Sequence, residues 1–386
     1  MGTLPLEDIT VVGLEQAVAA PLATRQLADL GARVVKIERP GGGDFARAYD
    51  DVVGGQSSVF VWLNRGKESV QLDLKSSAGR QVLEEILGYA DVLVANLSPR
   101  VLGDLRLTAD ALQARHPNLV ACTISGYAAD GPQPGKKAYD ALIQAETGLM
   151  SVTGLPGSPA KTGISVADIA AGSFAFSGVL AALRHRDRTG EALPVHVPLF
   201  GALAEWMAYP LYYTVHSGRA PVPMGAAHPT IAPYGPVATA EGRLLMIAVQ
   251  NDREWRRLCL DVLHRPDLFE DPRLRTNSSR VAHRAHLDEL LDGAGRQLPE
   301  AKLIARLDAA EIAWARLNDV AGLAGHPELA PAPRWLTTAI PGGEVATLAP
   351  VATPGGRLAG GGAVPAPGQH TEPVLAELAA RRKGSA

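Results

Sequence analysis

An α/β fold is expected for this chain: a doubly wound, Rossmann-like large domain with a smaller α+β domain. Three observations carry that expectation. Short β-branched runs alternate with helical runs from Ile9 to Phe200. The first two such runs flank a helix as a βαβ unit, whose strands must lie parallel. The chain has 386 residues, more than one ordinary core holds, and a Pro/Gly/Ala-rich stretch at 218–236 reads as a crossing to a second domain.

Residues 9–13 form the first strand. Pro21 opens the helix after it, where a missing N–H costs nothing. Leu22, Gln26, Leu27 and Leu30 keep helical spacing up to a capping Gly31. Residues 33–38, RVVKIE, make the next strand. Strand 70–74, helix 77–89, strand 91–96, a helix capped by Thr108 that ends near His116, and strand 119–125 repeat the pattern. The long apolar helix 168–186 is rich in Ala and Gly, which suits close packing. Strand 195–200 precedes a helix carrying Trp206. The second domain has a strand at 244–250, a helix opened by Asn251 and Asp252, a charged helical stretch at 280–310 and a strand near 312–317. After a Pro/Gly-rich tail at 350–368, a short helix is capped by Thr371, with Pro373 in its first turn. Ligands of such sheets bind at the carboxyl ends of the strands, so the loops after Glu38, Asn96 and Ser125 are where a site belongs.

Net charge is -3, from 37 basic and 40 acidic residues, which argues against nucleic-acid binding. Anionic substrates must therefore be met by local cations. Cys122 and Cys259 sit in apolar runs and read as buried, inert thiols. The N-terminus MGTLPLEDITVVG lacks the basic and apolar regions of a signal peptide. The apolar run 197–215 is charged only at Glu205, contains two prolines and reads as a strand plus a buried helix. A cytoplasmic protein is expected.

Several motifs invite chemistry. Glu38 ends the second strand, where a dinucleotide-binding fold keeps its ribose-binding acid. The first loop, GLEQAVAAP, however, has one glycine where that fingerprint needs three. The cluster Asn64-Arg65-Gly66-Lys67, with Lys75 beyond it, reads either as a phosphate cradle or as a solvated turn. Asp168, at the start of the long helix, and Asp140, at the head of another, read on their own as helix-capping acids worth roughly 0.3–1 kcal/mol each. His228, in GAAHPTIAPYG, has no second ligand at metal-site spacing. There is no GxSxG elbow.

Taken together, the pieces resemble the family III CoA-transferases, also called the CaiB/BaiF family. The resemblance spans nearly the whole chain: LADLGARVVKIERPGGGD (27–44), LNRGKESVQLDLKS (63–76), ADVLVANLSP (90–99), NLVACTISGYAADGP (118–132), KAYDALIQAETGLMSVTG (137–154), ISVADIAAGSFA (164–175) and the closing PAPGQHTEPVLAELA. It implies a large CoA-binding domain over 1–220, completed by 325–386, a small domain over 225–320, and an interlocked homodimer. It makes Asp168 the nucleophile, with Tyr139 and Asp140 beside it. It carries the CoA site onto Arg39, Leu72, Lys75, Asn96 and Lys137. It further implies acyl-CoA and a carboxylic acid as substrates, with no metal or redox cofactor.

The implied reaction passes through an aspartyl anhydride and an aspartyl-CoA thioester, so the thioester's energy reaches the second acid and is not lost to water. GAAHPT (225–230) is expected to cover the site. Leu97 replaces a common phenylalanine, and Val18 replaces a glutamine of some transferases. Arg47, Arg184 and Arg219 are candidate anchors for a second carboxylate. The alternatives are an α-methylacyl-CoA racemase and a non-catalytic CoA-binding protein. The racemases carry a histidine base where this chain has Tyr139, and a phenol, with a reference pKa of about 10, is a poor base at neutral pH.

Overall fold

The computed structural model describes residues 4–330, 334–356 and 361–384. The first three residues of the N-terminal stretch and 357–360 of the Pro/Gly-rich tail lie outside the described residues. The chain divides into two units. One is Met1–Leu149, Thr162–Tyr209 and Pro331–Ala386; the other is Met150–Lys161 and Pro210–Ala330. The second unit therefore begins earlier than the expected 225 and takes in a segment from before the long helix. Its cause is non-local: Gly225 N donates to Gly154 O at 2.7 Å, tying a two-residue ladder (Gly154–Leu155 with Ser158–Pro159) to a stretch 70 residues on. Periodicity along the chain carries no trace of such a bond.

The large unit is built on six parallel strands: β1 (Thr10–Leu14), β2 (Arg33–Glu38), β3 (Lys67–Gln71), β4 (Val92–Ala95), β5 (Val120–Ser125) and β6 (Val195–Pro198). Their spatial order is β3-β2-β1-β4-β5-β6, the doubly wound order. Alternate residues face opposite layers, as a pleat requires. Val11, Val34, Val92 and Cys122 pack on the side of α1 (Ala19–Asp29), while Val12, Val35, Leu93 and Ala121 pack on the side of α3 (Ser77–Leu87). Helices α2 (Ser58–Asn64), α4 (Pro99–Asp104), α5 (Ala109–Arg115), α6 (Asp140–Glu146), α7 (Val166–Thr189), α8 (Leu199–Trp206) and α9 (Thr371–Gly384) complete it.

Four local expectations are corrected. Strand β3 lies three residues earlier than 70–74, because Lys67 pairs with Val34 in the sheet and a turn from Asp73 leads to the Ser76 cap of α3. Thr108 precedes α5 without a side-chain capping bond. Thr371 does not cap α9 either; its Oγ1 accepts from Gln71 N at 2.9 Å. With His370 N donating to Ser69 O at 2.8 Å, and Ser69 N to His370 Nδ1 at 3.1 Å, the tail covers the open edge of β3. Finally, the helix Ala208–Ser217 is not a buried one: it has no buried residue, and Tyr209, Leu211, Tyr212 and Val215 are exposed.

The smaller unit has a three-stranded antiparallel sheet of β7 (Tyr234–Ala238), β8 (Leu244–Ala248) and β9 (Ala313–Arg316), with β8 central. Asn251 caps the helix Asp252–Arg257, accepting from Glu254 N at 3.0 Å, and Trp255 from that helix anchors the core. Both cysteines are buried and unbridged, and burial pushes their thiols up to about 12.

Helix α7 is long and apolar enough to cross a membrane by length and composition, yet Ala167, Ala170, Ala171 and Ala175 are buried in the large unit's core. Its small residues let α1 approach closely. A Cβ at Gly172 would stand 2.5 Å from Ala19 O and 3.1 Å from Leu22 Cβ. Gly172→Ala is therefore expected to destabilise the fold by roughly 1–3 kcal/mol, the usual cost of overpacking. Thermal denaturation checks this; an unchanged midpoint contradicts the packing.

Candidate active site

The strand order reverses between β1 and β4, and loops leave their carboxyl ends in opposite directions. A cleft of about 550 Å³ opens there. Its walls come from the loop after β1, the loops after β4 and β5, the segment leading into α6, and the first turn of α7.

Two aspartates reach this cleft and are used differently. Asp140 Oδ1 accepts from Ala167 N at 2.8 Å, and its Oδ2 accepts from Gln144 Nε2 at 2.7 Å. Asp140 thus supplies the cap of α7, where the residue in the capping position, Ser165, makes no side-chain bond. Asp168 sits in the same first turn but is relieved of capping. Among the described residues, its carboxylate has no hydrogen-bond donor. Burial, and then the nearby Asp140 charge, push it up to about 7. The helix N-terminus pulls the other way by roughly 0.3–1 kcal/mol, so burial and the like charge win. Both residues had looked like capping acids; only Asp140 is one.

Tyr139 precedes α6, is 69% exposed and lines the cleft. Phe45 and Tyr49 also line the cleft, with ring centroids 5.8 Å apart. Burial raises the Tyr49 phenol's pKa, and Asp44, Asp168 and Tyr139 add to it, which puts Tyr49 beside the two acidic-site residues. Val18, in the glutamine's place, lines the cleft and packs with Leu22 and Leu63.

The candidate CoA residues divide. Asn96 and Lys137 line the cleft. Asn96 is also a brace: its Oδ1 accepts from Gln16 N at 2.9 Å and its Nδ2 donates to Gln16 O at 2.8 Å. Arg39 and Lys75 are exposed, after β2 and β3, and neither lines the cleft; Arg39 Nε donates to Gly43 O at 3.0 Å. The Leu72 side chain is buried in the sheet's core and its N–H donates to Glu38 O at 3.0 Å, so at most its carbonyl is left for a ligand.

Several cations are already committed. Arg47 pairs with Glu38 through Nε at 2.9 Å and Nη2 at 2.7 Å, and stacks over Phe60 at 3.7 Å, so it does not anchor a substrate. That pair also removes Glu38 from any ribose role. Arg184 is exposed sixteen residues beyond Asp168 on α7, roughly 24 Å along the helix of the same chain. Arg219 belongs to the smaller unit and is exposed. His228, also there, stacks on Tyr234 at 5.2 Å, and Arg284 holds the His228 and Ile231 carbonyls at 2.6 and 2.7 Å.

The cluster at 64–67 is neither a phosphate cradle nor a solvated turn. Arg65 Nη2 binds Asp29 at 2.9 Å. Lys67, with no exposed surface on its side chain, donates to Glu15 Oε1 at 2.7 Å and Asn64 Oδ1 at 3.1 Å. Lys36, equally buried, donates to the same Glu15 oxygen at 3.2 Å and to Asp44 Oδ2 at 2.9 Å. Burial works against each charge. Lys36 and Lys67 more than offset it for Glu15, whose carboxyl lies below its usual range; Glu15, Asp44 and Glu38 do so for Lys36, which lies above its own. Lys67 falls to about 7, burial outweighing Glu15. This quartet, beneath the loop after β1, was not visible as a unit in the sequence. Its signal is a lysine among the apolar residues 34–37, VVKI, of a strand paired on both sides in a parallel sheet.

The chain matches the model of CoA-transferase family III over residues 6–371. This chain belongs to that family. The family III enzyme is 36% identical to an acetyl-CoA:oxalate CoA-transferase of Acetobacter aceti, over 84% of each chain. It is 33% identical to a succinate–glutarate CoA-transferase of Agrobacterium fabrum, over 84% of this chain and 83% of the other. Among solved structures, a CaiB/BaiF family protein from Brucella suis superposes with a TM-score of 0.86 at 32% identity, covering 98% of this chain and all of that one. The chain is a CoA-transferase, and its α/β fold with a large parallel sheet is that of its structural relatives.

The Asp168 environment has a pH signature. A carboxyl whose folded pKa exceeds its unfolded value of 3.8 contributes most below that value, and the contribution is lost as pH rises through about 7. Asp168→Asn should therefore melt higher than the parent at pH 8 by roughly 1–3 kcal/mol, after allowance for partial exposure, and level with it near pH 4. Melting curves at the two pH values check this; equal gains at both contradict it.

Proposed function

We propose that the family III enzyme moves CoA from an acyl-CoA thioester to a free carboxylic acid through covalent intermediates on Asp168. One observation carries this: Asp168 is a cleft carboxylate with no donor committed to it among the described residues, and at neutral pH it is near its midpoint. Such a group is a better nucleophile than an ordinary carboxylate and is still ionised in a large fraction of molecules.

An Asp168 oxygen attacks the thioester carbonyl. The C–S bond breaks, CoA leaves as thiolate, and a mixed anhydride remains. The thiolate then attacks the Asp168 carbonyl carbon, forming aspartyl-CoA thioester and releasing the first acid as carboxylate. The acceptor carboxylate attacks that thioester and reverses the two steps, returning Asp168. Bonds and charges balance without a metal or redox group. Backbone N–H groups hold the oxyanions, and Asp140 fixes the turn that carries the nucleophile. Tyr139 supports the reading as a phenol donor at the cleft wall. Asn96 and Lys137 receive the thiol-bearing arm of CoA, and Arg39 and Lys75 its phosphates further out. The acids named for the relatives, oxalate and glutarate, make short dicarboxylates the first acceptors to try.

The enzyme is further proposed to be an interlocked homodimer. Trp206, Tyr209, Leu211, Tyr212 and Val215 are all exposed, a run of large apolar side chains that a partner subunit would cover. Light scattering on dilution into the nanomolar range should find no monomer; a folded monomer in equilibrium contradicts the interlock.

Exchange of CoA between a panel of acyl-CoAs and free acids, followed by mass spectrometry, tests the activity. Asp168→Ala should abolish exchange. Asp140→Asn should slow it about 10- to 100-fold, because the cap weakens while the nucleophile stays. Exchange surviving in Asp168→Ala contradicts the assignment. Deuterium entering the α-carbon of a branched acyl-CoA, without CoA exchange, replaces it with the racemase reaction. Arg39→Ala should weaken CoA binding with the fold intact; unchanged affinity removes Arg39 from the site.

A further inference from the structure

Asp44 is 2% exposed and ties two cleft-lining segments, the loop after β1 and the turn carrying Phe45, to the buried charges beneath them. Its Oδ1 accepts from Ala17 N at 3.2 Å and from Ala46 N at 3.0 Å. Its Oδ2 accepts from the buried Lys36 at 2.9 Å, and its own N–H donates to Glu38 Oε1 at 2.8 Å. Ala17 lies at the cleft with φ +60, a left-handed conformation that a non-glycine residue adopts only when its surroundings hold it there. The short turn Phe45–Ala48 starts on Asp44 and carries Phe45, with Tyr49 just after it, into the lining of the cleft that Asp168 also lines.

We propose that Asp44 is a positioning residue of the transfer reaction, its charge holding the Ala17 turn and the Phe45–Tyr49 wall where the acyl group on Asp168 has to fit. This rests on the reading of Asp168 as the nucleophile. The charge matters as well as the shape. Without it, Lys36 and Lys67 share Glu15 alone, and two cations on one anion cannot be accommodated in a dry interior without movement or loss of a proton. The movement falls on the loop after β1, because Glu15 begins it. The proposed CoA contacts at Asn96 and Lys137 come from other segments, and Asn96 meets the loop through its two bonds to Gln16.

The pH dependence has a definite sign. The groups facing one another are Glu15 at the end of β1, Lys36 and Glu38 from β2, Lys67 from β3, and Asp44 with Arg47 on the turn. In Asp44→Asn, with Glu38 still matched by Arg47, the remaining quartet carries one surplus positive charge. Raising the pH removes it by taking the Lys67 proton. The ratio of mutant to parent rate should therefore rise with pH, and taking the ratio cancels the titration of Asp168 itself.

The test uses the full chain as Asp44→Asn, with Asp44→Ser, also a good helix-start cap, as a second variant. Acyl loading of Asp168 from acetyl-CoA, trapped with hydroxylamine, should slow at least about tenfold. The Kd for free CoA should stay within about twofold. The rate ratio should climb between about pH 6 and about pH 8.5. Ala17→Gly, added to Asp44→Asn, should restore part of the loading rate, since glycine adopts the turn unaided. Unchanged loading overturns the proposal. So does a parallel fall in CoA affinity, loading and thermal stability in both variants, which marks a role in the fold alone. Binding in an Asp168→Ala background separates this from the transferase reading. There, loss of acetyl-CoA affinity relative to CoA on adding Asp44→Asn supports the positioning role even if the parent never loads, and equal affinities overturn it.

Discussion

A charge taken out of water must be met by an opposite charge, or give up its ionisation. Both outcomes occur within this one site. Beneath the cleft, Glu15, Lys36, Asp44 and Lys67 meet one another with no side-chain exposure on Glu15 and the two lysines. In the cleft, Asp168 is buried beside a second carboxylate and is met by nothing comparable, so its proton affinity rises to about 7. The first arrangement fixes the walls; the second leaves one group reactive within them. Replacing the quartet by apolar residues would cost little in burial terms, but it would free the loop after β1, whose place is set by Asp44 and by the two Asn96 bonds.

The fold supplies the rest by geometry. A parallel sheet whose order reverses between β1 and β4 has a crevice at their carboxyl ends whatever the loops contain. Helix α7 brings Asp168 to that crevice because Gly172 and the buried alanines seat it on α1. The division of labour between the two aspartates follows from one hydrogen bond. Asp140 satisfies Ala167 N, which leaves Asp168 free of capping while still in the first turn. A buried carboxylate in that turn, spared from capping, is a more basic group than its sequence position suggests.

Much of the framework was legible in the residues. The alternation of β-branched and helical runs found all six strands of the large sheet, one of them displaced along the chain, and the Ala/Gly content of 168–186 foretold close packing. Thr371 and the 70–74 strand were misplaced because the real partners, Gln71 and Val34, lie far away in sequence. The same limit hid the quartet: Glu15, Lys36, Asp44 and Lys67 are unremarkable separately and meaningful only once β1, β2 and β3 are neighbours. Arg47 illustrates the converse. As a sequence it is a spare cation, and in the fold it is consumed by Glu38 and Phe60. Local reading also treated Asp140 and Asp168 alike, since both head helices; only the resemblance separated them, and the bond to Ala167 supplies the physical reason.

The central question is whether CoA, delivered by an acyl-CoA, becomes covalently attached to Asp168. The most direct measurement is peptide mapping after brief incubation with acyl-CoA and rapid quenching in acid, without any acceptor acid. The predicted result is a single modified peptide whose added mass equals CoA less water, with fragmentation placing it on Asp168, and none in Asp168→Ala. An adduct on Asp140, or CoA exchange at full rate with no adduct on any residue, would contradict it.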